Sequence, residues 1–425
     1  MPVDFSFVGR PSAVPRRPRF WPWWFCIWFA CNAIGVAIAM VLWPKGQPAS
    51  GAKFWFDFFG ISNGIFVVLA GIERLGYEVL WCRATGRNRH RNRELVQRIR
   101  TAQRPLQVLG VGCCLPLGGQ TLAGAIAAGK RLPALQMPRR GLAPVEHARF
   151  VEADWLADEP VSVDSFADDA AMAEREPVKQ VPLLTLKIAA ALEPLAASLT
   201  ALTCYERVWW PQVRVLSTPG REEADRAQIA DALRIAGLPP LAVQAAPEKD
   251  GLMFADAWLD AKEARPLLVV ATAWHEDGAP EGSTEGCVAV LLAAGYFRLP
   301  ETVTIAALLH RPVLGCAGDA AAGFMVAALC GKTDPAAVTR AWITRPVEHC
   351  DRALDAAGFQ AAAKDAGQFR PDRIVGDTGA ANGLLAIAAA IESGAVDGPQ
   401  FIVDGLQSAV LCVTPQQTIK LPDNR

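Results

Sequence analysis

PLLVVATA, from Pro266 to Ala273, and GCVAVLLA, from Gly286 to Ala293, are two uncharged apolar runs joined by the polar, glycine-rich loop HEDGAPEGSTE. Runs of that length, rich in Val and Leu and bounded by turn residues, are strands buried on both faces. Working upstream, Val213 to Ser217 reads as a further strand. Helical patterns occupy Val181 to about Leu202, Glu222 to Ala236 and Gly251 to Ala264. Downstream, strands are predicted at Val303 to Leu308, Arg373 to Val375 and Ser408 to Val413, and helices near Asp334 to Ala357 and Ala380 to Ser393. Buried strands alternating with helices mean a layered α/β fold. It starts at 105, where Pro105 to Ile126 (PLQVLGVGCCLPLGGQTLAGAI) reads as a buried strand entering a Gly-rich loop, since its glycines, Pro116 and Gln120 argue against a membrane span.

Residues 1–82 have a different character. Trp21 to Trp43 (WPWWFCIWFACNAIGVAIAMVLW) carries no charge and only Asn32 as a strongly polar residue, long enough to cross ~30 Å of hydrocarbon as a helix. Tryptophans at both ends suit the interfaces, and Pro44 stops the helix. The length and the Trp-rich start do not fit a cleaved signal peptide. Phe54 to Ile72 forms a second apolar run, interrupted by Asp57, Ser62 and Asn63. It reads as the return span of a two-helix transmembrane hairpin (helices about 21–43 and 54–72), with an interfacial amphipathic helix as the competing reading. Arg10, Arg16, Arg17 and Arg19 precede the first span and eight arginines from Arg83 to Arg104 follow the second, against Lys45 and Lys53 between them. The positive-inside rule then puts both ends, and the domain that follows, in the cytoplasm of a bacterial inner-membrane protein. The basic stretch 83–104 has the character of a juxtamembrane segment beside anionic lipid; RNA binding is the alternative.

The formal net charge of -1 argues against a nucleic-acid-binding protein, and local charge is the informative quantity. An acidic loop is predicted at about 152–177. The 11 cysteines include no Cys-x-x-Cys pair, so neither a zinc site nor a disulfide framework is expected. Cys113 and Cys114, adjacent in an apolar strand, read as small buried hydrophobes rather than a redox pair. Cys204, His275, His310 and His349 lack metal-ligand spacing and read as structural.

Three pieces in order resemble the thiolase-like fold of the β-ketoacyl synthases. VLGVGCCLPLG (Val108 to Gly118) is similar to their first strand and turn, PLLVVATAW…STEGCVAVLLA to the strand pair ending the first half, and GDTGAANGLLAIAAAI (Gly376 to Ile391) to the G-H-T-x-G-A-A-G turn and its small-residue helix. SAVLCV resembles the closing strand, so the likeness spans Val108 to Val413. Such a synthase needs a cysteine at the start of a buried helix and two oxyanion-stabilising histidines. Here the corresponding helix begins PEKDGLMFADAW, with Glu248, Lys249 and Asp250 and no cysteine. Asp377 stands where a histidine would be, and no His-Gly-Thr-Gly-Thr segment is present. The resemblance therefore implies a pseudoenzyme with no catalytic, cofactor or metal residues, Asp377 serving only its turn.

An anchor ahead of a catalytically vacant thiolase-like domain resembles the type VI lipase adaptor family. That implies a non-catalytic, membrane-tethered adaptor binding a protein cargo, an effector lipase, and a component of the secretion machine. The alternative is an acyl-handling enzyme or acyl-binding protein of lipid metabolism with a relocated nucleophile, for which Cys204 and Cys316 are the thiols. A third reading is a sensor holding a small anion at Gly376 to Gly383, although that turn lacks the Walker lysine and dinucleotide spacing.

Overall fold

The computed structural model describes residues 9–17, 21–44, 46, 48, 50–141, 143–152, 155–157, 180–276 and 278–415, which divide into two compact units near residue 100. Of the acidic stretch 152–177, only Glu152 and Trp155–Ala157 are described, the latter pairing with Gln180–Pro182 in a short antiparallel ribbon. The rest of that expected loop lies outside the described residues.

The N-terminal unit is built on two helices, α1 (Trp21–Leu42) and α2 (Ala52–Ala102). The helix expected to end near Ile72 runs on for thirty residues, so the basic segment is its helical continuation. Residues 73–102 are rich in strong helix formers, with i,i+4 pairs at Arg74–Glu78 (2.5 Å) and Arg98–Glu94 (2.8 Å). Polar residues of the two apolar stretches satisfy one another. Trp28 Nε1 donates to Asn63 Oδ1 (2.8 Å), and Asn63 Nδ2 donates to Asn32 Oδ1 (3.1 Å). A Cβ added to Gly35 would sit 1.7 Å from Ser62 Oγ, so that glycine lets the helices approach closely. At the other end Ser12 and Asn88 exchange hydrogen bonds, and Arg91 Nε donates to Gly9 O at 2.6 Å. The basic residues on either side of the apolar pair thus lie at the same end of this unit.

The second unit holds two repeats of one topology. In the first, the strands are β1 (Leu106–Cys114), β2 (Gln212–Ser217), β3 (Ala242–Pro247), β4 (Leu267–Ala273) and β5 (Gly286–Ala294); in the second, β6 (Ala307–Leu309), β7 (Arg340–Thr344), β8 (Gln368–Phe369), β9 (Pro399–Asp404) and β10 (Gln407–Val413). The order across the sheet is β8-β7-β9-β10-β6-β1-β5-β4-β2-β3. Counted outward from the centre, each repeat uses its own strands in the order first, fifth, fourth, second, third. The fifth strand runs antiparallel to both neighbours in each repeat (β5 against β1 and β4, β10 against β6 and β9), while the second is parallel to the third and fourth. The repeats join at β1 and β6, where Leu106 faces Leu309 and Val108 faces Ala307.

Side chains alternate along these strands with period two. In the first repeat Leu267, Val269, Ala271, Val288 and Val290 enter an inner core with α5 (Met253–Asp260) and α8 (Asn382–Glu392), joined there by Trp342, Ile402 and Leu411 of the second repeat. Leu268, Val270, Ala289 and Leu291 enter an outer core with α3 (Leu183–Leu192) and α4 (Glu222–Ile235). On the far side Phe324, from α6 (Ala320–Cys330), and Phe359, just after α7 (Cys350–Ala356), close on Phe401 at ring-centre distances of 5.5 and 4.4 Å. The layers therefore run helix, strand, helix, strand, helix. Leu183–Leu202 is long and apolar enough to cross a membrane, but buries Leu184, Ile188, Leu192, Leu195 and Leu199 in the outer core.

Several expected elements differ. The region expected as one helix from Asp334 to Ala357 contains strand β7, with α7 only at its end. Arg373 to Val375, expected as a strand, belongs to the helical turn Pro371–Ile374 and its cap. The strand placed at Val303 to Leu308 is confined to Ala307–Leu309. Strands β3, β8 and β9 carry no counterpart in the sequence reading. All three are needed to complete the repeats.

Candidate functional site

Strand β3 ends at Pro247 and a single 3-10 turn, Glu248–Asp250, leads to α5. Between them Gly251 adopts φ 43° and ψ -123°, a conformation closed to most side chains. A sharp, strained strand-to-helix turn of this kind is how hydrolases lift a nucleophile into the open. Here the residue at the strained position is a glycine. A Cβ on Gly251 would meet Gln407 Oε1 at 2.6 Å. The Gln407 amide fills that space, accepting from Leu252 N (2.6 Å) and donating to Lys249 O (3.2 Å). Thr218 Oγ1 donates to Glu248 Oε2 at 3.1 Å, tying the turn before α5 to the end of β2.

Beside the elbow lies an ion pair that the sequence reading did not find. Asp404, at the end of β9, is fully enclosed, and Arg345 grips it with Nε–Oδ1 at 2.8 Å and Nη2–Oδ2 at 2.7 Å, while Thr344 Oγ1 donates to Oδ1 at 3.1 Å. Burial works against the Arg345 charge, but the bonds to Asp404 outweigh it and hold its pKa above the ordinary value; Asp377 and Glu248 add to the same field. Arg345 itself stands at φ +46°. Asp404 and the adjacent Thr344 and Arg345 come from strand ends about sixty residues apart in sequence, which is why no local motif announced them.

Asp377 serves its turn as expected. Its Oδ1 accepts from Gly379 N (2.8 Å) and from the Asn382 amide, and Thr378 N and Oγ1 both donate to Asn382 Oδ1 (3.1 and 2.9 Å). Two backbone donors of this turn, Thr378 N and Gly379 N, are thus taken by its own side chains. Gly376, at φ +99°, is needed: a Cβ there would lie 2.6 Å from Gly282 O.

The remaining candidates are scattered. Cys204 and Cys316 are exposed. Cys113 Sγ lies 3.4 Å from Glu392 Oε1, and burial, aided by that carboxylate, pushes the thiol up to about 12. Burial lowers the pKa of both His275 and His310. His349 is an exposed left-handed residue ahead of α7. Among the described residues no three His, Cys, Asp or Glu side chains come together as a metal site.

No family model and no curated protein matches the chain. Solved structures do. The ishigamide ketosynthase/chain length factor is 16% identical over 73% of this chain and 99% of its own, with a TM-score of 0.42. The peroxisomal 3-ketoacyl-CoA thiolase of Saccharomyces cerevisiae, described as a five-layered structure of two core domains of identical topology, is 8% identical over 74% and 98%, at 0.44. The β-ketoacyl-[acyl carrier protein] synthase III of Thermus thermophilus is 14% identical over 73% and 99%, at 0.39. These likenesses are remote, and the assignment stands on the chain's own duplication: two repeats with one strand order, each with an antiparallel fifth strand, in five alternating layers, make the folded unit a mixed α/β domain of the thiolase-like kind.

Proposed function

We propose that this chain is a membrane-tethered, non-catalytic adaptor that holds a protein cargo at the cytoplasmic face of a bacterial inner membrane, in the manner of the type VI lipase adaptors, with an effector lipase as cargo. The observation that carries the reading is the elbow. Gly251 occupies the strained position, Gln407 fills the space a nucleophile's side chain needs, and the neighbouring charges are tied into the Arg345–Asp404 pair. A domain that retains the turn but fills it with an amide offers surface rather than chemistry. Membrane attachment rests on two apolar helices whose polar residues pair with one another, and on the two basic flanks lying at one end of that unit.

The test is co-purification of the full chain in lipid nanodiscs with the products of neighbouring genes. A stoichiometric protein partner carrying a lipase sequence is expected; no protein partner under those conditions, together with turnover of an acyl thioester, would overturn the reading. The exposed thiols of Cys204 and Cys316 favour the acyl-handling alternative. A thiol-reactive acyl mimic that modifies one of them stoichiometrically and site-specifically would support it.

A further inference from the structure

The basic continuation of α2 has two sides, and the chain itself answers only one of them. Arg91 Nε donates to Gly9 O at 2.6 Å, Asn88 exchanges hydrogen bonds with Ser12, and Ala84 is 8% exposed, so the N-terminal segment lies along the side that carries residues 84, 88 and 91. At 100° per residue, Arg89, Arg93 and Arg100 fall within about 40° of one another on the opposite side, over about 16 Å of helix. All three are exposed, and none makes a side-chain hydrogen bond or ion pair among the described residues. Gly86, on the same side, has open space where a Cβ would lie, and Val96 beside it is 47% exposed.

The acids of the helix do not neutralise this stripe. Glu78 is paired with Arg74 at 2.5 Å and Glu94 with Arg98 at 2.8 Å, while Glu73 falls on the other side. Arg89 and Arg93 stand four residues apart, a like-charge spacing that works against a helix unless an anion lies between them. Anionic lipid suits the first arginines past the apolar stretch, but these three are too far out. At 1.5 Å per residue, Arg89 is about 25 Å beyond Ile72 along the helix and Arg100 about 42 Å. Headgroups add about 5–8 Å to the hydrocarbon on each side, and their potential decays within about 8 Å at physiological salt. Even a tilt of about 40° leaves Arg89 about 20 Å from the hydrocarbon edge.

We infer that the stripe of Arg89, Arg93 and Arg100 docks an acidic, carboxylate-rich segment of a partner protein, which approaches α2 from the side away from the N-terminal segment. Each guanidinium can hold a carboxylate through paired N–H donors. Single-stranded nucleic acid fits less well, because its bases stack on aromatic platforms and the helix from Cys82 to Ala102 offers no aromatic ring but His90, which lies off the stripe. The inference deepens the adaptor reading by naming a surface for the cargo, and it rests on the apolar part of α2 lying in the membrane.

Full chain in phosphatidylcholine nanodiscs, titrated with a fluorescein-labelled peptide of alternating glutamate and alanine and followed by fluorescence anisotropy, tests this. Arg89→Gln/Arg93→Gln/Arg100→Gln should weaken binding about tenfold. Arg16→Gln/Arg83→Gln/Arg87→Gln removes the same charge away from the stripe and should weaken it less than about threefold. Glutamine is a strong helix former, so the circular dichroism of both variants should match the parent. Equal losses in the two variants would overturn the inference. So would loss of binding in discs containing phosphatidylglycerol, which would assign the stripe to lipid, or tighter binding of polyuridylate than of the peptide, which would assign it to RNA. An effector that co-purifies undiminished with the stripe variant would leave the adaptor reading standing and end this one, whereas stripe-specific peptide binding with no co-purifying effector would keep the stripe and remove the lipase cargo.

Discussion

The two repeats of the folded unit hold their inner helices by the same device, built with different residues. In each, an enclosed acid at or just before the fifth strand is gripped by an arginine: Glu285 by Arg139 ahead of β5, Asp404 by Arg345 ahead of β10. A residue beside that acid then reaches across to the other repeat. Thr284 N donates to Asp377 O at 2.9 Å and its hydroxyl to Val375 O, holding the turn before α8, while Gln407 holds the elbow before α5. The difference is in exposure. Arg139 and Glu285 are 2% and 1% exposed, whereas Arg345 is 43% exposed above an enclosed Asp404. The first pair is enclosed, and the second opens to the surface beside the elbow.

The sharpest break of this comparison is to remove each acid. Glu285→Ala strands a buried guanidinium that also stacks on Trp274 at 4.1 Å, and should cost about 3–5 kcal/mol. Asp404→Ala leaves an arginine that can turn to water, at about 1–2 kcal/mol. Urea denaturation of the full chain measures both, and equal costs would erase the distinction. Next comes the elbow. Gly251→Ala should cost about 1–3 kcal/mol, because of its φ and the Gln407 contact. In a Gln407→Ser background part of that cost should vanish, giving a coupling of about 1 kcal/mol. Gly376→Ala, blocked by a backbone oxygen, should find no such relief.

The histidines sharpen the comparison further, with one at the end of β4 in the first repeat and one after β6 in the second. His275 and His310 both have folded-state values pulled below the ordinary 6.5 by burial. The unfolded chain therefore binds more protons in that window, so their contribution is complete above pH 6.5 and is lost as the pH falls through it. Denaturation midpoints measured from pH 7.5 to 5 should decline, and the decline should be shallower in His310→Gln. The smallest effect is at the second repeat's turn: Asp377→Ala should cost about 1 kcal/mol, Asp377→Asn less than about 0.5. Asp377→His should create no condensing activity. Turnover lost on Asp377→Asn with the circular dichroism unchanged would make that carboxylate catalytic and end the adaptor reading.

The first repeat was legible because its central strands β4 and β5 are buried on both faces and so read as unbroken apolar runs. The second repeat hid its strands. β7, RAWIT, is five residues long with arginines at and beyond its ends, and short segments of that kind are absorbed into neighbouring helical patterns. The third strand of the first repeat, AVQAAP, is an alanine-rich edge with little β-branched signal. Asp377 was found because a turn and its cap are local in sequence. Gln407, Arg345 and Asp404 were not, because their roles are defined by partners on other strands, and nothing in a window around any of them reports the contact.

The crossed grip of the two repeats also sets an order of events during synthesis. Gln407 lies 155 residues after Leu252, the elbow residue whose backbone N–H it satisfies. At ordinary elongation rates of about 5–20 residues per second, the elbow waits roughly 8–30 s for that partner to be made. During that interval the first repeat has an open elbow and, at β1, an edge awaiting β6. Any chaperone that attends this chain should therefore engage it after the N-terminal helices and the first repeat have emerged, and release it only once β10 has left the ribosome.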